Sequence, residues 1–325
     1  MGDTRTDVVC LGEALVDLVA VKRGVRLDEA PAFRKAAGGA PANVAVGVAR
    51  LGWRSAFLGA LAEDSLGTFL CETLRRAGVN IEAVGRSRAG RTALALVSLA
   101  SDGERDFLFY AERAAHFDLR LTPRMRALIQ GAPVFHFGSI SLIADPARSA
   151  TFEAIREARR AGALCSYDPN LRKNLWPRLP MARQRMREAL HLADLVKVNR
   201  AELVFLTGAR SVRQGLRALI AAGPRLAVAT LGAEGCAYAC RGEEGRVPGF
   251  QAKIVDTTGA GDAFVAGLLT GLLSAGAARR EKLPSGSALE AILLRANAAA
   301  ALSTERRGGI PSLPSARRVE AMLRA

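Results

Sequence analysis

Short apolar runs alternate with stretches of helical spacing along most of the chain. The runs at 8–12, 133–138, 163–168, 195–199 and 225–231 have the length and composition of buried strands. Helical patterns follow them, most clearly at 146–161, 181–193, 201–206 and 260–273. This alternation predicts an α/β fold, a mainly parallel central sheet with helices on both faces. Ligands of such sheets collect at the carboxyl ends of the strands, which makes Asp168, Asn199 and Thr230 candidate site residues.

Two β-rich stretches, 15–33 and 91–111, break the alternation. The second holds runs at 93–99 and 106–110 around the turn Ser101-Asp102-Gly103-Glu104. Strands inserted this way are placed to form a small sheet that covers the site and excludes water. They would serve equally as an extension through which two copies of the chain pair. No repeat or long linker appears, so residues 1–325 read as one domain with these lid segments inserted. Residues 277–287 form the one loop-like insert.

Composition changes the picture little. The formal charge of +15 suggests nucleic acid or an acidic membrane surface. Only six of the 46 basic residues are Lys, and the Arg residues are scattered among acids, as in Arg156-Glu157-Ala158-Arg159-Arg160. Aromatic residues are 5% of the chain, too few for stacking platforms, so no nucleic-acid partner is expected. The longest apolar stretch, 263–278, is too short to span a bilayer and reads as a core helix, with Gly267 and Gly271 marking close packing. No membrane partner is expected. Five cysteines in apolar surroundings, with three His in the chain, argue against a zinc site and fit a reducing cytoplasm. The start of the sequence lacks a signal-peptide layout.

The run Asp256-Thr257-Thr258-Gly259-Ala260-Gly261-Asp262 opens the apolar 260–273 helix. Gly259, Ala260 and Gly261 let backbone N–H groups approach an anion, and the helix dipole points the same way. Asp262 then stands where a base can take a proton from an attacking hydroxyl, a device suited to moving a phosphoryl group onto an alcohol. A plain helix cap after a turn has the same sequence. Upstream, Gly38-Gly39-Ala40-Pro41-Ala42-Asn43 precedes another helical run. Its glycines admit a ligand to the backbone, and Asn43 offers a donor and an acceptor; a tight turn with an Asn cap reads the same way. Asp17 lies in a mostly apolar strand and needs partners, sugar hydroxyls or an Arg. Asn199 and Glu202 can hold the water shell of Mg²⁺, or form a capping box. Thr230-Leu231-Gly232 offers donors to nucleotide phosphates, or is a simple turn.

With these motifs in order, the chain resembles the ribokinase-type, or phosphofructokinase-B-type, carbohydrate kinases from about residue 8 to 314. Within that family it is most similar to fructokinases, the plant-type sequences especially. The resembling stretches are GGAPANVAVGVARLG, RTALALVSLASDGERDFLFY, GSISLI, SYDPNLRKNLWP, TLGAEGC, VDTTGAGDAF and ERRGGIPSLP. The resemblance implies a ribokinase-like three-layer fold with a β lid, ATP and Mg²⁺ as cofactors, and a sugar substrate. Asp262 matches the catalytic base, and Gly259, Ala260 and Gly261 the anion hole. Asp17, Gly38, Gly39 and Asn43 match the sugar-binding region. Asn199 and Glu202 match the element that organises Mg²⁺ and phosphate. Thr230 and Gly232 match a nucleotide-contacting turn, and Asn297 lies where the adenine pocket is completed. Asp256 and Thr258 match the start of a K⁺ loop. A homodimer through the lid is a further expectation.

The chain departs from the fructokinase pattern at three places. Ala62 replaces a glycine of the first signature and is expected to alter a turn near the sugar. Ala111 replaces a basic residue and His116 an aspartate, both expected on the lid side of the sugar, where Arg113 is the candidate to compensate. The resulting expectation is ATP-dependent phosphorylation of the 6-hydroxyl of D-fructose. A kinase of 2-dehydro-3-deoxygluconate or another small sugar is the alternative. A silent sugar- or nucleotide-binding protein and a basic nucleic-acid binder are the non-enzyme readings.

Overall fold

Parallel strands Leu226–Thr230, Leu195–Asn199, Leu164–Tyr167, Val134–Phe137, Val8–Leu11 and Ser55–Leu58 lie side by side in that order through the middle of the computed structural model. The structure describes residues 5–22, 24–99, 105–240, 242–278 and 282–324. The expected turn at 101–104 and part of the 277–287 insert lie outside the described residues. Each central strand is an almost unbroken apolar run, as burial on both faces requires. Val8 and Cys10 face one apolar layer, Val9 and Leu11 the other. Helices cover both layers, giving three layers in all.

The sequence pattern placed the helices at 147–160, 200–207 and 260–274 to within a residue or two. It differs after the strand Leu226–Thr230. An antiparallel hairpin, Cys236–Cys240 and Glu243–Val247, follows there and extends the sheet to eight strands before the next long helix.

The lid sheet has the order Phe33–Gly38, Leu15–Ala20, Leu94–Leu99, Arg105–Tyr110. Both inserted segments thus supply two strands, and the first runs on to Gly38 rather than ending at residue 33. Ala62 lies in neither sheet. It is a buried residue of the short strand Ala60–Ala62, paired with Ser87, so it stands in a strand and not in the expected turn.

Three helices on one face set the geometry of the site. Ala40–Arg50 packs on Ala260–Ser274, which packs on Gly286–Thr304. The approach is close because of glycine. A Cβ on Gly47 would stand 2.6 Å from the Cβ of Ala266, and one on Gly267 would stand 2.9 Å from Ala296 Cα. The close-packing role expected for Gly267 is therefore what the structure has.

Candidate active site

Gly259 starts the Ala260–Ser274 helix with a left-handed φ of 80°, and no side chain caps it. A residue with a Cβ would be strained there. Asp262 stands in the first turn, buried, with its Oδ2 accepting a hydrogen bond from Asn43 Nδ2 at 2.7 Å. Burial pushes its pKa up to about 6. The Asn43 bond opposes that rise, and the Asp168 carboxylate adds to it. The carboxyl is therefore mostly ionised at neutral pH and still basic enough to accept a proton.

Two cavities meet at this helix end, sharing Thr230, Thr257 and Gly261. The larger, about 370 Å³, runs under the lid. Asp17, Gly39, Asn43, Asp168 and Asp262 line it, as do the lid residues Leu15, Ala95 and Phe109. Asp17 is buried and pushed up to about 7 by desolvation, with Arg172 opposing and Asp262 adding to the rise. Gly38 leaves the space Asp17 needs, since a Cβ there would clash with its Oδ2. Gly39, at φ 102°, lets the chain pass 2.5 Å from the Glu13 carbonyl, measured to where a Cβ would be.

On the strand-end side, Asn199 and Glu202 close a full capping box. Asn199 Oδ1 accepts the Glu202 N–H and Glu202 Oε2 accepts the Asn199 N–H, each at 2.9 Å. Glu202 Oε1 also accepts the Leu171 N–H at 2.8 Å. Both readings of this pair are compatible, because both residues line the cavity as well as capping the helix. Asn199 is registered against Thr230 on the neighbouring strand, which brings the two candidate residues side by side. The second cavity, about 230 Å³, is lined by Gly232, Ala260, Phe264 and Asn297. Asn297 is fixed by donating to the carbonyls of Val247 and Pro248 at 3.2 and 2.9 Å.

The pattern that describes the pfkB family carbohydrate kinases matches residues 5–316. This chain belongs to that family. It is 45% identical over 324 residues to a probable fructokinase-7 of Arabidopsis thaliana, covering 99% of this chain and 93% of the other. It superposes on an ATP-bound fructokinase from Xylella fastidiosa with a TM-score of 0.88 at 34% identity, covering 98% of each chain. A Vibrio cholerae O395 fructokinase, solved with fructose, ADP and calcium ion, gives 0.85 at 35% identity over 99% of this chain and 100% of that one. The pfkB chain described here is an ATP-dependent sugar kinase. Among its described residues no helix is long and apolar enough to cross a membrane.

In this pfkB kinase the residues fit the expected cations differently. Glu202 already accepts two backbone N–H groups, so it suits a metal held through water rather than a direct ligand. Asp256 Oδ1 accepts from Thr258 N and Oγ1, at 2.9 and 2.7 Å, and its Oδ2 accepts from Gly308 N at 2.9 Å. Its carboxylate is thus a brace that shapes the loop.

The structure does not bring Arg113 to the site. It is exposed, at a left-handed φ of 52°, and neither it, Ala111 nor His116 lines either cavity. His116 is buried against Phe117, and desolvation pushes its pKa down to about 4. The basic residues of the larger cavity are instead Arg172 and Lys197, and Glu13 joins the acids. Glu13 lies beside Asp17 in Gly12-Glu13-Ala14-Leu15-Val16-Asp17 and Arg172 inside SYDPNLRKNLWP, and neither carries a local signal of its own. Lys197 had a usable signal, a charge at the centre of an apolar strand. It is buried, with Nζ donating to Asp168 Oδ2 at 2.9 Å. Burial works against its charge, but Asp168, Glu202 and Asp262 together hold its pKa above the ordinary lysine value.

Proposed function

We propose that this kinase transfers the γ-phosphoryl group of ATP to the 6-hydroxyl of D-fructose, with Asp262 as general base. The observation that carries the reading is the buried Asp262 carboxylate, oriented by Asn43 at 2.7 Å in the larger cavity, next to Gly261, which lines both cavities. The sugar would occupy the cavity under the lid, with Asp17 and Asn43 taking its hydroxyls. ATP would occupy the other, its adenine beside Asn297 and its phosphates along Thr230 and Gly232. The sugar oxygen attacks phosphorus, and its proton passes to Asp262. The bond from the γ-phosphorus to the bridging oxygen breaks, and ADP leaves with the electron pair. The N–H groups at Gly259, Ala260 and Gly261 would stabilise the charge on the moving group. Mg²⁺, held through water by Glu202 and Asn199, would neutralise phosphate charge. The Asp256–Thr258 loop is the place for K⁺.

Fructose as acceptor is supported by the plant relative and by the fructose-bound Vibrio structure. A sugar acid such as 2-dehydro-3-deoxygluconate is the second reading, favoured by one observation. Arg172 places a guanidinium in the larger cavity, where an acceptor carboxylate could pair with it. A coupled ADP-release assay over sugars and sugar acids separates the two. Turnover of fructose above all others supports the first reading, turnover of sugar acids alone replaces it, and no turnover removes both. The lid's outer strand exposes Leu108 and Tyr110, which suits pairing of two copies, and sedimentation at two concentrations tests that.

A further inference from the structure

Lys197 is assigned no part by the motifs, yet its ammonium group lies against Gly261 of the anion hole. The Leu195–Asn199 strand directs residues 195 and 197 into the layer of the Ala260–Ser274 helix, while Val196 and Val198 face the other layer. A Cβ added to Gly261 would stand 2.7 Å from Lys197 Nζ. The ammonium group therefore occupies the space a side chain at Gly261 would take, and both residues line the larger cavity. This gives Gly261 a second reason to lack a side chain, since any would displace the ammonium.

Chemistry and composition point the same way. The chain has six Lys among 46 basic residues, so Arg is its default cation. At this buried position it carries Lys, a compact charge that can approach a small tetrahedral or planar group from one side, where the flat guanidinium of Arg needs more room. Two of the three ammonium protons remain for other acceptors after the Asp168 bond. Arg172 is the cavity's other base, and its charge is felt by Glu13, Asp17 and Asp262, the acids of the sugar end.

We propose that Lys197 is a catalytic residue whose ammonium group donates to an oxygen of the transferring phosphoryl group, while Asp168 holds it in place. Charge on that group is spread over its equatorial oxygens as the old bond breaks, so a fixed cation beside Gly261 stabilises the transition state more than the ground state. The inference rests on the reading of Asp262 and its helix end as the transfer site, and it does not depend on which sugar is the acceptor.

The test uses Lys197→Gln, whose amide keeps a donor for Asp168 without the charge, and Lys197→Met as a second variant. The acceptor is whichever sugar the wild-type enzyme turns over fastest, so a wrong choice of sugar or of site is detected in the wild type before variants are compared. Expected is a loss of about 10²–10³-fold in kcat for both variants, as for removal of a fixed donor at a developing charge. Sugar KM and ADP affinity should stay within about threefold, the ordinary reach of a charge not contacting the ground state. ADP with aluminium fluoride and sugar, a planar phosphoryl mimic, should bind wild type much more tightly than ADP with sugar alone, and the variants should lose that gain. Three results would overturn the proposal: kcat above a tenth of wild type, equal weakening of sugar, ADP and mimic binding, or failure of both variants to fold.

Discussion

Asp262 and Glu13 show how one cavity raises the pKa of two carboxyls against different partners. Asp262 is held near a pKa of about 6 by burial set against the Asn43 bond. Asp262→Ala should leave a folded protein with normal ATP binding and a kcat reduced about 10²–10⁴-fold, the range for a lost general base. More than a tenth of wild-type turnover would remove Asp262 from that role. Because the ionised form is the base, kcat/KM should fall as pH drops through about 6, and a flat profile from pH 5 to 8 would contradict the assignment. Glu13 gives a stability prediction. Desolvation raises its pKa from 4.5 to about 7, against its backbone bonds and Arg172. Its contribution is thus fully present below the unfolded value near 4.5 and is lost as pH rises through about 7. Glu13→Gln, which can still accept the Ala40 N–H through its amide oxygen, should melt higher than wild type at pH 8, and the gap should shrink by pH 5. Which acids would be coupled in this way was not legible from sequence. Asp17 was found because it interrupts an apolar strand, whereas Glu13 and Arg172 enter the cavity only through folding.

At the scale of elements, the helix pair Ala40–Arg50 and Ala260–Ser274 sets the distance between Asn43 and Asp262. Asn43 and Gly47 are one turn apart on the first helix, Asp262 and Ala266 one turn apart on the second. The 2.7 Å Asn43–Asp262 bond therefore depends on the contact of Gly47 with Ala266 one turn further along. Gly47→Ala should push the helices apart, costing about 1–3 kcal/mol by overpacking, and should lower kcat together with the melting temperature. An unchanged kcat in a destabilised variant would show that the bond tolerates the shift. Most elements were legible because strand and helix periods differ. The hairpin at 236–247 was missed since its strands, CAYAC and EEGRV, lack a common pattern. The Gly286–Thr304 helix was missed because its Ala-rich sequence has no polar face to mark a period.

For the molecule as a whole, the role proposed for the lid is to direct phosphate to sugar rather than to water. Leu15, Ala95 and Phe109 bring three lid strands to the cavity roof. ATP hydrolysis without sugar should be a small fraction of the transfer rate, and Phe109→Ala should raise that fraction by admitting water, which ADP release with and without acceptor measures. Chelation of divalent cations should abolish transfer. The sequence by itself determined the α/β layering, the two helix-end motifs and the inserted lid segments, because these follow from local period, glycine placement and residue chemistry. Only the tertiary structure decided which charges share the cavity. It turned Arg113 outward, buried His116 away from the site and gathered Glu13, Arg172 and Lys197 beside Asp262. Those choices depend on contacts between segments far apart in the chain, where burial and neighbouring charge, absent from any local pattern, set both position and pKa.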